Sequence, residues 1–201
     1  MFGLFSKKTK KPKVRFIAYK SRVLKYKNVL LSFKEPSLHT SVLLVYFFDQ
    51  TRDEVIQLCG AMELELSEQP EKLADPGYVL MSAHDLKNSN LNIVDQVIAL
   101  EAHPLASVNA LVSDPFEESN LKEIIFYVGM DESIISIFGG ERITNILGKL
   151  GLEEDEPLEH PMITKSVIRG QERLESKIDF PKDIRTSQEA WEEANVIKDI
   201  N

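Results

Sequence analysis

The hydrophobic positions of this chain form short unbroken apolar runs separated by stretches with helical spacing. The strongest run covers residues 41–48, and residues 123–129 form a second run of β-branched and aromatic residues that ends at a glycine. Such runs are typical of strands that are covered on both faces. Residues 14–19, 78–82 and 94–100 are the other strand candidates.

Helical spacing follows most of these runs. A helix with one apolar face is predicted over residues 20–33, a second runs through Val55, Cys59 and Met62, and a short third covers residues 104–111. Strands that alternate with helices imply an α/β fold with a doubly wound, mostly parallel sheet.

The region after residue 129 predicts three more helices. Asp131 is placed to cap the first of these, and Gly139-Gly140 is placed to end it. The second covers residues 143–150, and the third begins at Pro161. The third helix carries an apolar stripe made of Ile163, Val167, Ile168, Leu174 and Ile178.

These patterns divide the chain into three parts. We predict a basic, disordered arm over residues 1–13, one α/β domain over 14–160 and a C-terminal helical extension over 161–201. The end of the chain, which contains Trp191, allows two interpretations. It is either a helical tail packed back on the domain or a partner-binding helix anchored by Trp191.

Composition adds little to this fold and favours a cytoplasmic location. The chain has 201 residues, of which 43% are hydrophobic and 28% charged, which is ordinary for a globular protein. No apolar run approaches the roughly 20 residues that a transmembrane helix needs. The single cysteine, Cys59, has no second cysteine for an internal disulfide and is predicted to be a small core residue.

Charge separates the N-terminal arm from the rest of the chain. Residues 1–34 hold 11 of the 24 lysines and arginines and no acid, which leaves the remainder with a net charge of −19. The arm either folds back on this acidic body, contacts an anionic surface or is solvated. The acidic body argues against nucleic acid as the main partner. The residues that we predict for weak membrane contact are Phe2, Phe5, Lys7, Lys8, Lys10 and Lys11.

Three segments near the end of the chain carry a family resemblance. They are IFGGERI at 137–143, LGLEEDEPLEHPMITKS at 150–166 and QERLE at 171–175. This text resembles the preprotein translocase motor ATPase SecA, where it closes the second nucleotide-binding lobe and enters the long scaffold helix. The resemblance is dense over about residues 123–180 and implies a RecA-like (P-loop NTPase-type) α/β fold. It also implies that at most one of the motor's two lobes is present.

The chemistry of such a motor is missing from the sequence. An ATPase of this class needs a glycine-rich phosphate loop with lysine, and arginines that neutralise the transferred phosphoryl group. The sequence contains no G-x-x-x-x-G-K-[ST], and no arginine lies between Arg52 and Arg142, where the family carries its arginine fingers. Lysine does not reproduce the guanidinium fork. We therefore predict no catalytic residue and no bound cofactor.

Other site chemistries find no support either. The four histidines are scattered, show no metal-ligand spacing, and are each predicted to be surface or cap residues: His39, His84, His103 and His160. We therefore predict no metal site. The segment from Glu101 to His103 resembles the family's Glu-Arg-His.

Three functions remain open. The first is a non-catalytic module that binds a translocase motor, a translocon component, an exported protein or a second copy of itself. The second is an ATPase lobe completed by a partner, and the third is a membrane-surface adaptor that works through the arm. The residues that we expect to contribute to interaction or packing are Phe138, Arg142, His160 and Trp191.

Overall fold

The structure, a computed structural model, describes residues 11–32, 40–74, 76–89, 91, 93–137 and 156–196. Within these residues the strands are β1 (Lys13–Tyr19), β2 (Ser41–Tyr46), β3 (Gly77–Ser82), β4 (Gln96–Ala99) and β5 (Glu123–Gly129). The α-helices are α1 (Arg22–Ser32), α2 (Asp49–Ala61), α3 (Ala106–Ser113), α4 (Ser133–Ile137), α5 (Pro161–Glu175) and α6 (Gln188–Asn195). Short 3₁₀ turns cover Pro70–Ala74, Leu86–Asn88 and Asp114–Phe116.

The five strands form one parallel sheet in the order β1-β5-β4-β2-β3. The interior strand β2 is apolar from Val42 to Val45 because both of its faces are covered. Leu43 and Val45 belong to a cluster with α3, α5 and α6, whereas Val42 and Leu44 belong to a cluster with α1 and α2. The predicted fold class, an α/β fold with a doubly wound parallel sheet, is confirmed.

Both outer strands are paired along their free edges. Ala18 in β1 exchanges backbone hydrogen bonds with Leu158, with N···O distances of 3.1 and 2.7 Å. Ser67 pairs in the same way with β3, donating to Tyr78 and accepting from Leu80 at 3.1 and 2.8 Å. Backbone groups that are already hydrogen-bonded do not pair with a strand of another chain. Edge-to-edge association is therefore blocked at these positions.

The predicted strands and the helices on described residues are confirmed, with differences of a few residues at their ends. One stripe position was wrong: Ile168 is 36% exposed, because it lies off the face of α5 that buries Ile163, Val167 and Leu174. The predicted helix over residues 143–150 and the Gly139-Gly140 stop lie outside the described residues. No helix among the described residues is long and apolar enough to cross a bilayer.

Candidate functional site at the carboxyl edge of the sheet

Parallel α/β sheets bind their ligands beyond the carboxyl ends of the strands, where the loops that leave neighbouring strands converge. In this protein, the loops after β2, β4 and β5 meet there with the first turns of α1 and α2. The side chains that meet are buried, polar and charged, which is unusual for a protein interior. This edge is therefore the part of the fold in which site chemistry is expected.

Glu101, which follows β4, binds the turn between β2 and α2. One carboxylate oxygen accepts hydrogen bonds from the backbone N–H groups of Phe47 and Phe48 at 2.9 and 3.0 Å. The other oxygen accepts from the Thr51 hydroxyl at 2.6 Å, and this hydroxyl is itself 3.5 Å from the hydroxyl of Tyr26. Burial raises the pKa of Glu101, but three donors and the nearby Lys25 charge favour its carboxylate form.

Backbone carbonyls from a distant part of the chain satisfy the start of α2. The N–H groups of Asp49 and Gln50 donate to the carbonyls of Arg185 and Thr186 at 2.8 and 3.0 Å. The free N–H groups at a helix N-terminus after a strand are where such folds bind phosphate. Here four successive N–H groups, from residue 47 to residue 50, already have acceptors within the protein.

Lys25 and Glu132 form a buried ion pair beside Glu101, in which the Lys25 ammonium contacts a Glu132 carboxylate oxygen. The two side chains are only 1% and 3% exposed. Burial alone would lower the pKa of Lys25, but the attractions of Glu132, Tyr26 and Glu101 together outweigh it and raise that pKa. Burial raises the pKa of Glu132, and its second carboxylate oxygen has no hydrogen-bond partner among the described residues.

The N-terminus of α1 approaches the loop after β5 closely. The backbone N–H of Arg22 donates to the Asp131 carboxylate at 2.7 Å. Asp131, which was predicted to cap the helix that follows it, thus binds the first residue of α1 through one carboxylate oxygen. A Cβ atom at Gly129 would lie 2.7 Å from the Arg22 nitrogen, so this approach requires glycine.

His103, which was predicted to be a surface or cap residue, lies in the core and is 5% exposed. Its ring stacks on Phe48 with centroids 5.5 Å apart and meets the edge of Trp191 at 5.1 Å. Its Nδ1 accepts from the Leu105 N–H, and its carbonyl accepts from the Gln171 amide at 2.7 Å. Burial lowers the pKa of His103 to about 3, so the ring is neutral at ordinary pH.

The other predicted site residues lie apart from this edge or outside the described residues. His160 caps α5, with its Nδ1 accepting from the Met162 N–H at 3.2 Å. Trp191 is 2% exposed, so the packed tail is the alternative that the structure has. Lys11 forms a surface ion pair with Glu117. The predicted residues outside the described part of the chain are Phe138, Arg142, Phe2, Phe5, Lys7, Lys8 and Lys10.

The sequence prediction missed the buried ion pair, although one signal pointed to it. Lys25 precedes Val29 by four residues, so it lies on the apolar face of α1 rather than on the basic one. The identity of its partner could not be read in the same way, because Glu132 is more than 100 residues away in the sequence.

The cleft nearest the carboxyl ends of β2 and β3 is acidic. It has a volume of about 530 Å³, and its lining includes Tyr46, Ser82 and three carboxylates, those of Glu68, Glu71 and Asp85. Carboxylates repel a triphosphate and do not replace the cations that grip one. The described residues contain no group of three or more histidine, cysteine or acidic side chains placed to hold a metal ion. The described residues that line this cleft are thus acidic or uncharged, and no lysine or arginine is among them.

Comparison by sequence finds SecA proteins that are similar to parts of this chain. This chain is 44% identical over 52 residues to the protein translocase subunit SecA 1 of Clostridioides difficile, a match that covers 26% of this chain and 6% of that protein. It is 30% identical over 82 residues to SecA of Symbiobacterium thermophilum, covering 40% and 9%. It is 28% identical over 131 residues to SecA of Treponema denticola, covering 61% and 14%.

The resemblance to part of SecA that the sequence segments indicated is thus confirmed. The chain spans only a small fraction of the length of these relatives. No family model matches it. Among solved structures, the C-terminal part of the Fun30 ATPase domain aligns with a TM-score of 0.44 and 15% identity, over 77% of this chain and 54% of that one.

Proposed function

We propose that this chain is a non-catalytic, SecA-like module that binds other proteins and acts as an accessory to protein translocation. The link to translocation rests on the sequence resemblance to SecA. The non-catalytic character is supported by the carboxyl edge of the sheet, where Glu101 occupies the donors of the β2–α2 turn.

The electrostatics of that edge support the same conclusion. One ammonium, that of Lys25, faces two buried carboxylates, those of Glu101 and Glu132. A nucleotide phosphate placed there would meet an excess of negative charge in a poorly solvated place, where like charges repel strongly. A lobe that keeps the parallel sheet without phosphate-binding chemistry retains a rigid surface, which is what a binding module needs.

The expected partners follow from the proposal: a translocase motor, a translocon component, an exported protein or a second copy of this chain. The experiment is capture from the cell of origin with the tagged full chain as bait, after brief crosslinking, with bound proteins identified by mass spectrometry. The control bait is an unrelated protein of the same net charge, −8, because an acidic body alone retains basic proteins.

Enrichment of a translocase component or of exported proteins over the charge-matched bait is expected. Absence of any such protein, together with a monomeric chain at high concentration, would contradict protein binding. Catalysis is tested separately by measuring ATP hydrolysis by the purified chain, alone and mixed with the SecA of the same cell. Turnover that is lost on substituting Thr51 or Lys25 would contradict the non-catalytic character.

A further inference from the structure

The end of the described chain is held against the candidate site by a short list of contacts. We call residues 182–196 the C-terminal segment. The Ser187 hydroxyl caps α6 by accepting from the Ala190 N–H at 3.1 Å, and Trp191 enters the core one turn later. The carbonyls of Arg185 and Thr186 bind the start of α2. Ile184 and Val196 pack against the same core, and Arg22 pairs with Glu189 at 3.7 Å. The segment therefore has the form of a peptide ligand: a short capped helix with one aromatic anchor, two smaller apolar contacts, one ion pair and two backbone hydrogen bonds.

The connection between α5 and this segment is exposed for most of its length. Residues 176–181, all within the described part of the chain, form neither helix nor strand, and of these Ile178 is partly buried against the core. Phe180 in this connection is 93% exposed. Such a connection contributes little to holding the segment, so the segment's own contacts decide whether it stays bound.

Two polar groups of the segment are poorly satisfied in the bound position. Gln188 is 7% exposed, and its amide nitrogen has no hydrogen-bond partner among the described residues. Glu192 accepts from the Ser133 hydroxyl at 2.9 Å, and burial raises its pKa to about 7. A buried donor without an acceptor and a carboxylate in a half-buried place both weaken binding.

We propose that the surface beneath the C-terminal segment is a docking site for a helix of another protein, and that the segment is a tethered competitor for it. The helix that fits has a serine or threonine cap and a tryptophan one turn later, as residues 187–191 have. This proposal rests on the proposed protein-binding function and names the partner's chemistry. A partner helix that lacks the two poorly satisfied groups binds the surface better than the segment does.

The tether gives the segment a local advantage. A segment joined by a short flexible connection competes at an effective concentration in the millimolar range. A free peptide with the same sequence therefore binds the intact chain weakly and binds it well once the connection is cut. This difference separates a displaceable ligand from an integral part of the core.

The test uses the full chain with a protease recognition sequence inserted after Phe180, the most exposed residue of the connection. A fluorescent synthetic peptide of residues 182–201 is titrated into the intact and the cleaved chain, and binding is followed by anisotropy. We expect the cleaved chain to bind the peptide at least about tenfold more tightly than the intact chain. A peptide with Trp191→Ala should bind the cleaved chain at least about tenfold more weakly. A peptide with Glu192→Gln should bind more tightly than the native peptide at about pH 8, because it carries no charge at that position.

Three results would overturn the proposal. Retention of the segment by the cleaved chain for days without exchange, or unfolding of the chain when the segment leaves, would make the segment part of the core. Equal binding of the native and Trp191→Ala peptides would show that Trp191 does not anchor the segment. A stable dimer in which two copies exchange segments would make a second copy the occupant in place of another protein. None of these results depends on capturing a partner, so this test can fail while the proposed function stands.

Discussion

Replacing Lys25 by methionine should destabilise this protein more than almost any other single change on α1. The substitution keeps the length of the side chain and removes its charge, leaving the carboxylates of Glu132 and Glu101 in the core without a counter-ion. The Lys25 and Glu132 side chains are 1% and 3% exposed, so water does not compensate for the loss. Breaking a buried pair by removing one partner costs about 3–5 kcal/mol.

That loss is large beside the whole stability of a domain, which is about 5–15 kcal/mol. Urea unfolding followed by circular dichroism measures it directly. With an m value of about 2 kcal/mol per M, the unfolding midpoint should fall by roughly 2 M. Since burial already raises the pKa of Glu132, its protonation should relieve part of the loss at acid pH, and the effect should be smaller at about pH 5 than at about pH 8.

Two further variants make this measurement decisive. Lys27→Met changes the same residue type on the same helix at an exposed position and should cost less than about 1 kcal/mol. The double variant Lys25→Met with Glu132→Leu should recover most of the loss, because a buried pair is replaceable by apolar groups of similar volume. A loss below about 1 kcal/mol for Lys25→Met alone would refute the reasoning, since a pair that weak is not desolvated.

Three other substitutions test separate parts of the account. Gly129→Ala should lower the free energy of unfolding by roughly 1–3 kcal/mol in urea, because its Cβ would lie 2.7 Å from the Arg22 nitrogen; an unchanged midpoint would contradict the close approach. Glu192 has a pKa raised to about 7, so its favourable contribution is present below its ordinary pKa and is lost as the pH rises through about 7. Glu192→Gln should thus be more stable than the native chain at about pH 8 and lose this advantage by about pH 4, below the ordinary pKa of a glutamate; a difference independent of pH would contradict the burial. Phe180→Ser should change the unfolding free energy by less than about 0.5 kcal/mol, because the ring is 93% exposed, and a larger loss would show that it packs.

The sheet could be predicted from the sequence because its evidence is local. An unbroken apolar run such as residues 41–48 has few alternatives to a buried strand, and glycine at position 129 marks the end of another strand, β5. The resemblance to SecA could also be recognised from the sequence, because the similar residues are contiguous. The local hydrophobic pattern and the segments that resemble SecA therefore identified the fold class.

The chemistry of the carboxyl edge could not be predicted in this way. Glu101 binds a turn more than 50 residues earlier, and Lys25 pairs with a carboxylate more than 100 residues later. His103 was predicted to be a surface or cap residue, and it is buried by Phe48 and Trp191, which are distant from it in the sequence. Spacing along the chain shows which face a residue occupies, but not which distant side chain it meets.

The measurement that tests the central claim most directly is calorimetric titration of the purified full chain with ATP and with ADP in the presence of Mg²⁺. The account predicts no saturable binding up to about 1 mM nucleotide, because Glu101 and the C-terminal segment occupy the donors that a phosphate would need. One-to-one binding with a dissociation constant well below about 1 mM, weakened by Thr51→Val, would contradict it.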